Sequence, residues 1–180
     1  MPGHNKGFTL IELMVTIAIA AILVTAGVPA FNRFVESNRE AAQVNQVIRA
    51  LSIARSEAVT RNVTVTVCPG TATSSGTATC STDWSKGWIV FVDDDEGVTG
   101  NGAFDSGDTL LNVFAALDGG NKFKSSLNTI SYDASGLGST KGTLTLCDRN
   151  GEYLQGILIS ATGAARTSDK DDSGNTLTCA

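Results

Sequence analysis

One apolar stretch near the start of the chain limits its fold more than any other feature. From Leu13 to Ala26 every residue is apolar, Ala or Thr, and extending back to Phe8 adds a single charge, Glu12. A helix needs roughly 20 residues to cross the hydrocarbon core of a bilayer, and Phe8 to Pro29 supplies that length. A secretory signal peptide fits poorly. The charged stub Met1 to Lys6 is very short, the apolar run exceeds a secretory h-region, and no clear small-residue cleavage site ends it. Glu12 weighs more, because a carboxylate inside an apolar segment is costly and is usually kept for a function.

The residues Gly7-Phe8-Thr9-Leu10-Ile11-Glu12-Leu13 resemble the leader of type IV pilins and of the related type II secretion pseudopilins. The resemblance implies that a prepilin peptidase cuts after Gly7 on the cytoplasmic side and methylates the new terminal residue, Phe8. Glu12 then stands where the family's acidic residue stands. The freed α-amino group of a neighbouring subunit is one cation available to it, so burying Glu12 in a bundle of packed helices is a reason to assemble.

At 180 residues the chain has room for one domain beyond the membrane helix. The resemblance divides it into a cleaved leader, 1–7, a transmembrane and assembly helix, 8–29, and a periplasmic or extracellular head, 30–180. Charged residues make up only 17% and the net charge is −5, which argues against a general nucleic-acid binder. The sole histidine, His4, lies in the leader, so the mature chain has no histidine base, triad member or metal ligand. No spacing of acids or lysines points to catalysis, and the expectation is a protein that is not an enzyme.

Four cysteines, Cys68, Cys80, Cys147 and Cys179, follow the membrane segment, and an even number in a translocated domain favours two disulfides. Three connectivities are possible. Cys68 with Cys80 closes a short Gly/Ser/Thr loop and Cys147 with Cys179 staples the last residues to a strand, so these pairs are expected. A metal site of four thiolates would lack any C-x-x-C knuckle.

Beyond Pro29, Ala41, Val44, Val47/Ile48, Leu51, Ala54 and Ala58 recur at helical spacing, with Arg and Glu opposite. One helix from about Phe8 to Thr60 would be about 80 Å long. Pro29 removes the hydrogen bond to the carbonyl of Thr25, which predicts a kink or a loosened turn. The remainder reads as strands: Val63 to Val67, Trp88 to Val92, Thr109 to Phe114, Leu127 to Tyr132, Thr143 to Cys147 and Gly156 to Ser160. The fold class is therefore α+β, a pilin fold with one long N-terminal helix whose second half packs on an antiparallel sheet.

Three blocks narrow the resemblance to the GspH/FimT-type minor pilins. They are Glu36-Ser37-Asn38-Arg39 with Ala54-Arg55-Ser56-Glu57-Ala58, Thr66-Val67-Cys68, and the run Asp83 to Asp93, with Thr145-Leu146-Cys147 further on. The function so implied is a structural minor pilin of a bacterial type IV pilus, near its tip, held first in the inner membrane and later on the cell surface. Its partners are other major and minor pilins. The alternatives are a GspH-type pseudopilin of type II secretion and a DNA-binding minor pilin of natural transformation.

Trp84 and Trp88 flank a Ser-Lys-Gly turn and lead into an apolar strand, so at least Trp88 is expected in the core rather than exposed for contact with a neighbour. From Asp93 to Asp108 there are six acids and no base. Such a loop suits Ca²⁺, but Gly97 and Phe104 break the EF-hand pattern, and a solvated turn is the better reading. No other cofactor is expected. Some FimT-like proteins bind DNA through Gly-Arg-x-Arg near the C-terminus. Here Gly163-Ala164-Ala165-Arg166 lacks the first arginine, and Asp169, Asp171 and Asp172 follow. Arg166 alone offers little against phosphate, where affinity accumulates over many contacts.

Overall fold

The computed structural model describes residues 7–73, 76–94 and 100–179. The chain divides into two units, Met1–Arg39 and Glu40–Ala180. Helix α1, Leu10–Arg61, supplies the whole of the described first unit beyond its cap and the opening element of the second. Its start is set by Thr9, whose hydroxyl accepts the backbone N–H of Glu12 at 3.3 Å. With Glu12 three residues on, this is the Thr-x-x-Glu pattern of a capped N-terminus. Its end is set by Asn62, in the left-handed region at φ 58°, which lets the Val63 N–H reach back to the Ala58 carbonyl at 3.2 Å. Asparagine tolerates that conformation better than most residues, and the bond satisfies one orphan carbonyl of the last turn.

Among the described residues nine strands follow: β1 Val65–Ala72, β2 Ala78–Cys80, β3 Trp88–Val92, β4 Thr109–Phe114, β5 Lys122–Ser125, β6 Ile130–Tyr132, β7 Gly142–Cys147, β8 Tyr153–Ile159 and β9 Ala165–Thr167. A 3₁₀ turn, Trp84–Lys86, precedes β3. Every pairing is antiparallel, but there are two sheets where the sequence suggested one. The first runs β2-β1-β3-β4 with β6 also on β1, and the second runs β5-β7-β8-β9. Val63 lies outside β1 because it completes the helix cap. Leu127 lies outside β6 because its carbonyl is already taken by Trp84 Nε1 at 2.9 Å and by the Ser125 hydroxyl at 2.8 Å.

The core of the second unit lies between α1 and the inner faces of both sheets. Val44, Val47, Ala50, Leu51, Ala54 and Ala58 meet Val65, Val67, Val90, Ile130, Leu144, Leu146, Ile157 and Ile159, all buried. The alternation of each strand decides which residues belong to it. Ala41 is exposed, and Gln43 is buried in its stead. Gln43 can be buried because its amide donates to the Asp118 carbonyl and accepts from Asn121, each at 2.9 Å. Trp84 and Trp88 are both fully buried, Trp88 stacked on Phe114 at 5.6 Å.

The outer faces are covered separately. On the first sheet Cys68, Ile89 and Phe91 are capped by Phe104, whose ring meets Phe91 edge-on at 5.4 Å. On the second, a Cβ at Gly156 would collide with the Leu177 side chain and the Ser168 carbonyl, so residues 168–177 lie close over β8.

Candidate functional site

The described part of the first unit, residues 7–39, is exposed throughout. Its large apolar side chains include Phe8, Ile11, Leu13, Ile17, Leu23 and Phe31, and α1 is long and apolar enough to cross a membrane by length and composition. Gly7 and Phe8 lie just before the helix and Glu12 in its first turn. An apolar surface of this extent is stable only against lipid or other apolar helices. Glu12 is the one carboxylate in its first turn, where the helix dipole favours negative charge. Pro29 lies inside α1 with helical residues on both sides.

The four cysteines form two bonds, Cys68–Cys80 and Cys147–Cys179, with Cα separations of 5.6 and 5.9 Å. The first ties the end of β2 to β1. The second holds the C-terminal segment to the end of β7, beside the sheet face that Leu177 covers.

Asp93 and Asp108 organise the acidic loop. Asp93, buried at the end of β3, accepts from the Thr66 hydroxyl at 2.6 Å and from the N–H groups of Asn101 and Gly102, each at 3.0 Å. Asp108 accepts from the N–H groups of Asp94 and Asp105 at 3.0 and 2.9 Å. Burial raises the Asp108 carboxyl, those two bonds pull it down, and the neighbouring Asp105 and Asp93 carboxylates raise it again, leaving it above its ordinary range. The Ca²⁺ expectation falls partly on Asp95 and Glu96, which lie outside the described residues. Among the described residues no group of three or more His, Cys, Asp or Glu is placed to hold a metal ion.

Gly163 to Arg166 is split by the fold. Gly163 lies at φ 75° in a turn, and a Cβ there would press on the Tyr132 ring at 2.7 Å and the Gly138 nitrogen at 3.0 Å. Tyr132 donates its hydroxyl to the Gly163 carbonyl at 3.0 Å, and burial pushes that phenol up to about 12. Ala165 pairs with Ile159 and packs on the core beneath α1, whereas Arg166 pairs with Leu158 on the other face of the sheet. A cavity of about 190 Å³ lined by Leu51, Ser52, Arg55, Tyr132 and residues 163–165 therefore contains Arg55 but not Arg166. A larger depression of about 460 Å³ has Lys122, Lys124 and Arg149, but interleaves them with Asp83 and Asp148. Lys141 pairs with Asp172 at 2.7 Å.

One local device escaped the sequence reading. Among the described residues the same turn recurs five times, starting at Thr73, Asp133, Asp148, Ser160 and Asp171. In each, the first residue's N–H bonds the carbonyl four residues on, and a glycine at the fourth position, with φ between 75° and 86°, returns a bond to the first carbonyl. Asp133, Asp148 and Asp171 also accept N–H groups within the turn on their own carboxylates. The signal, [Asp/Ser/Thr]-x-x-Gly, was visible in the sequence.

Comparison with known proteins converges on one group. A family model described as type II transport protein GspH matches residues 43–163, and one described as a prokaryotic N-terminal methylation motif matches residues 3–28. No curated protein matches the chain. Among solved structures, the type IV minor pilin FimU of Pseudomonas aeruginosa strain PAO1, in space group P21, is similar over 82% of this chain and 99% of that one. Its identity is 20% and its TM-score 0.56. The same protein in space group P65 is similar over 78% and 99%, with 18% identity and TM-score 0.52. The minor pseudopilin EpsH of Vibrio cholerae covers 72% and 96%, with 11% identity and TM-score 0.48. FimU shares the fold, a long helix followed by antiparallel sheets. With most of its length matched by the GspH model and the methylation motif before it, the chain belongs to the GspH family of minor pilins and pseudopilins.

Proposed function

We infer that the chain is a structural minor pilin of a bacterial type IV pilus, assembled through its N-terminal helix and placed near the filament tip. The observation that carries this reading is the exposed apolar part of the helix, up to residue 39, with Glu12 near its start and the methylation motif over residues 3–28. A prepilin peptidase cuts after Gly7 and methylates Phe8. The inner membrane holds residues 8–29 until assembly, with the head, 30–180, in the periplasm. Packing among the helices of other pilins then replaces lipid around the apolar surface. Glu12, desolvated by that step, meets the amino terminus of a neighbouring subunit. Pro29, which cannot donate to the Thr25 carbonyl, gives the helix its softest point. FimU, described as a type IV minor pilin, favours the pilus, while the GspH description favours a type II secretion pseudopilin as second reading.

The head works as a packed structural body. Its acidic loop caps its own backbone through Asp93 and Asp108, which supports a self-contained turn over a Ca²⁺ site. Arg55 and Arg166 stand on different faces, and the remaining bases described above are interleaved or paired with acids. This arrangement disfavours DNA as a ligand, since these bases do not line up as a continuous track.

Processing is tested by Gly7→Val. The expected result is an uncut, membrane-inserted precursor, against a wild-type chain that begins at Phe8 and carries an N-methyl group. A Gly7→Val chain that still matures to Phe8 contradicts the leader assignment.

A further inference from the structure

We propose that Arg55 anchors a binding site for a carboxylate side chain, one that stands beside an apolar residue on the head of a neighbouring pilin. This rests on the reading of the chain as an assembling subunit. Arg55 lies on α1 between Leu51 and Val59, and residues four apart fall on one face of a helix. Long helical side chains lean toward the helix start, which carries the guanidinium over the cavity of about 190 Å³ that Leu51, Ser52, Tyr132 and residues 163–165 complete. Burial raises the Tyr132 phenol and the Arg55 charge works against it, so the cation stands close to the ring that lines the cavity.

Two of the recurring turns form the walls. Gly136, at φ 76°, brings the Asp133 turn onto the helix, where a Cβ would meet Val59 Cγ2 at 2.9 Å and Arg55 Nε at 3.3 Å. Gly163 brings the Ser160 turn onto the Tyr132 ring in the same way, and Tyr132 donates to its carbonyl. These walls are backbone held by hydrogen bonds and stand ready before a ligand arrives. Arg55 nevertheless has no ion-pair partner among the described residues, whereas Arg61 is held by Glu57 and Lys141 by Asp172. The acid of the adjoining turn, Asp133, turns its carboxylate inward, accepting from the Ser135 N–H and hydroxyl and from the Leu137 N–H.

These features choose the occupant. A guanidinium forks onto a carboxylate with two parallel bonds, and in a partly apolar recess such a pair is stronger than in open water. One cation balances one carboxylate, while a phosphate dianion would keep a charge unmet against Leu51, Ala164 and Ala165. The rim asks for more than a free ion. Val59 is 52% exposed and Leu137, directly after Gly136, is 49% exposed. Among the described residues of the second unit only Val113 joins them as an exposed large apolar side chain. A small carboxylate would leave that rim wet, while a protein segment with an apolar residue beside its acid covers it, the arrangement of an arginine anchor inside a water-excluding ring.

The test uses the full-length mature chain, alone in detergent and in the complex co-purified with the pilins of its own machinery. Arg55→Ala should lower recovery of those pilins about fivefold or more while shifting the thermal midpoint of the chain alone by less than about 2 °C, since Arg55 bonds to nothing within it. Arg55→Lys keeps the charge, should retain most of the complex, and adds an amine that a carbodiimide condenses with a carboxylate in contact. Peptide mapping should then return a link from position 55 to an Asp or Glu with an apolar neighbour on another pilin's head. Equal recovery with Arg55→Ala, a larger fall in its midpoint, or a complex in which position 55 links to no acid of another pilin overturns the site and leaves the pilin reading standing. A link to a second copy of this chain overturns the proposed partner. A wild-type chain that recovers no pilin overturns the assembly reading, and the site with it.

Discussion

Asp93 carries the turn after β3 because its carboxylate answers three donors at once: the Thr66 hydroxyl and the N–H groups of Asn101 and Gly102. Asp93→Ala leaves the Asn101 and Gly102 N–H groups without their acceptor, while the Thr66 hydroxyl keeps Ser131 Oγ at 2.7 Å, which costs about 1 to 3 kcal/mol. Thermal unfolding of the purified chain measures it, and a loss below about 0.5 kcal/mol would mean that water replaces the carboxylate fully. The two tryptophans make a sharper comparison. Trp84 donates its indole N–H to the Leu127 carbonyl, whereas Trp88 Nε1 is buried with no acceptor among the described residues. Both rings leave a void on replacement by phenylalanine, but only Trp84→Phe also loses a hydrogen bond. Trp84→Phe should therefore be the more destabilising by about 1 kcal/mol, and the reverse order in denaturant midpoints would contradict this assignment. That Trp88 belongs to the core was legible from its place before an apolar strand; that Trp84 joins it was not. Nor was it legible which of them bonds, since Leu127 is 43 residues from Trp84 in sequence.

At the scale of elements, β1 alternates with period two, β7 alternates Thr with Leu and β3 is a short continuous apolar run, and these three stand inside the sheets. Strands β2, β5 and β9 went unseen because three or four residues at a sheet edge show too little alternation to register. The division into two sheets was also hidden, since register and sheet membership depend on pairings far apart in sequence. Gln43 broke the helical stripe because its partners, Asp118 and Asn121, arrive from a distant loop. The disulfides act at this scale, closing segments with sequence separations of 12 and 32. Loss of either should cost about 2 to 4 kcal/mol. Because Cys147–Cys179 holds the segment over β8, Cys147→Ser with Cys179→Ser should first raise exchange at Gly156 and Leu177. Non-reducing peptide mapping that returned crossed pairs or free thiols would contradict the arrangement.

For the whole molecule, pH and assembly give separate handles. The Asp133 carboxyl is held below its ordinary range chiefly by the Ser135 hydroxyl, that of Asp148 by the Glu152 N–H, and that of Asp171 by the Asn175 amide. A depressed carboxyl adds stability that is present above its unfolded pKa and lost as pH falls through the folded one. Asp108, held high by burial, acts in the opposite sense, favouring the fold when protonated. Asp83 is held low as well, its burial outweighed by the bonds from Ser85 and by Lys86, and four groups against one predict a net fall in stability as pH drops below about 4. Unfolding midpoints from pH 6 to pH 2 should show it, and a flat profile would count against the turn hydrogen bonds. The membrane-length helix and its carboxylate were the most legible features of the chain because they need no tertiary context. The most direct measurement of the assembly account compares wild-type and Glu12→Ala chains in sheared surface filaments and in membranes, by quantitative immunoblot. The account predicts equal membrane levels with filament recovery reduced about tenfold or more in Glu12→Ala, as only the intersubunit charge match is removed. Equal recovery of both chains in filaments would contradict it.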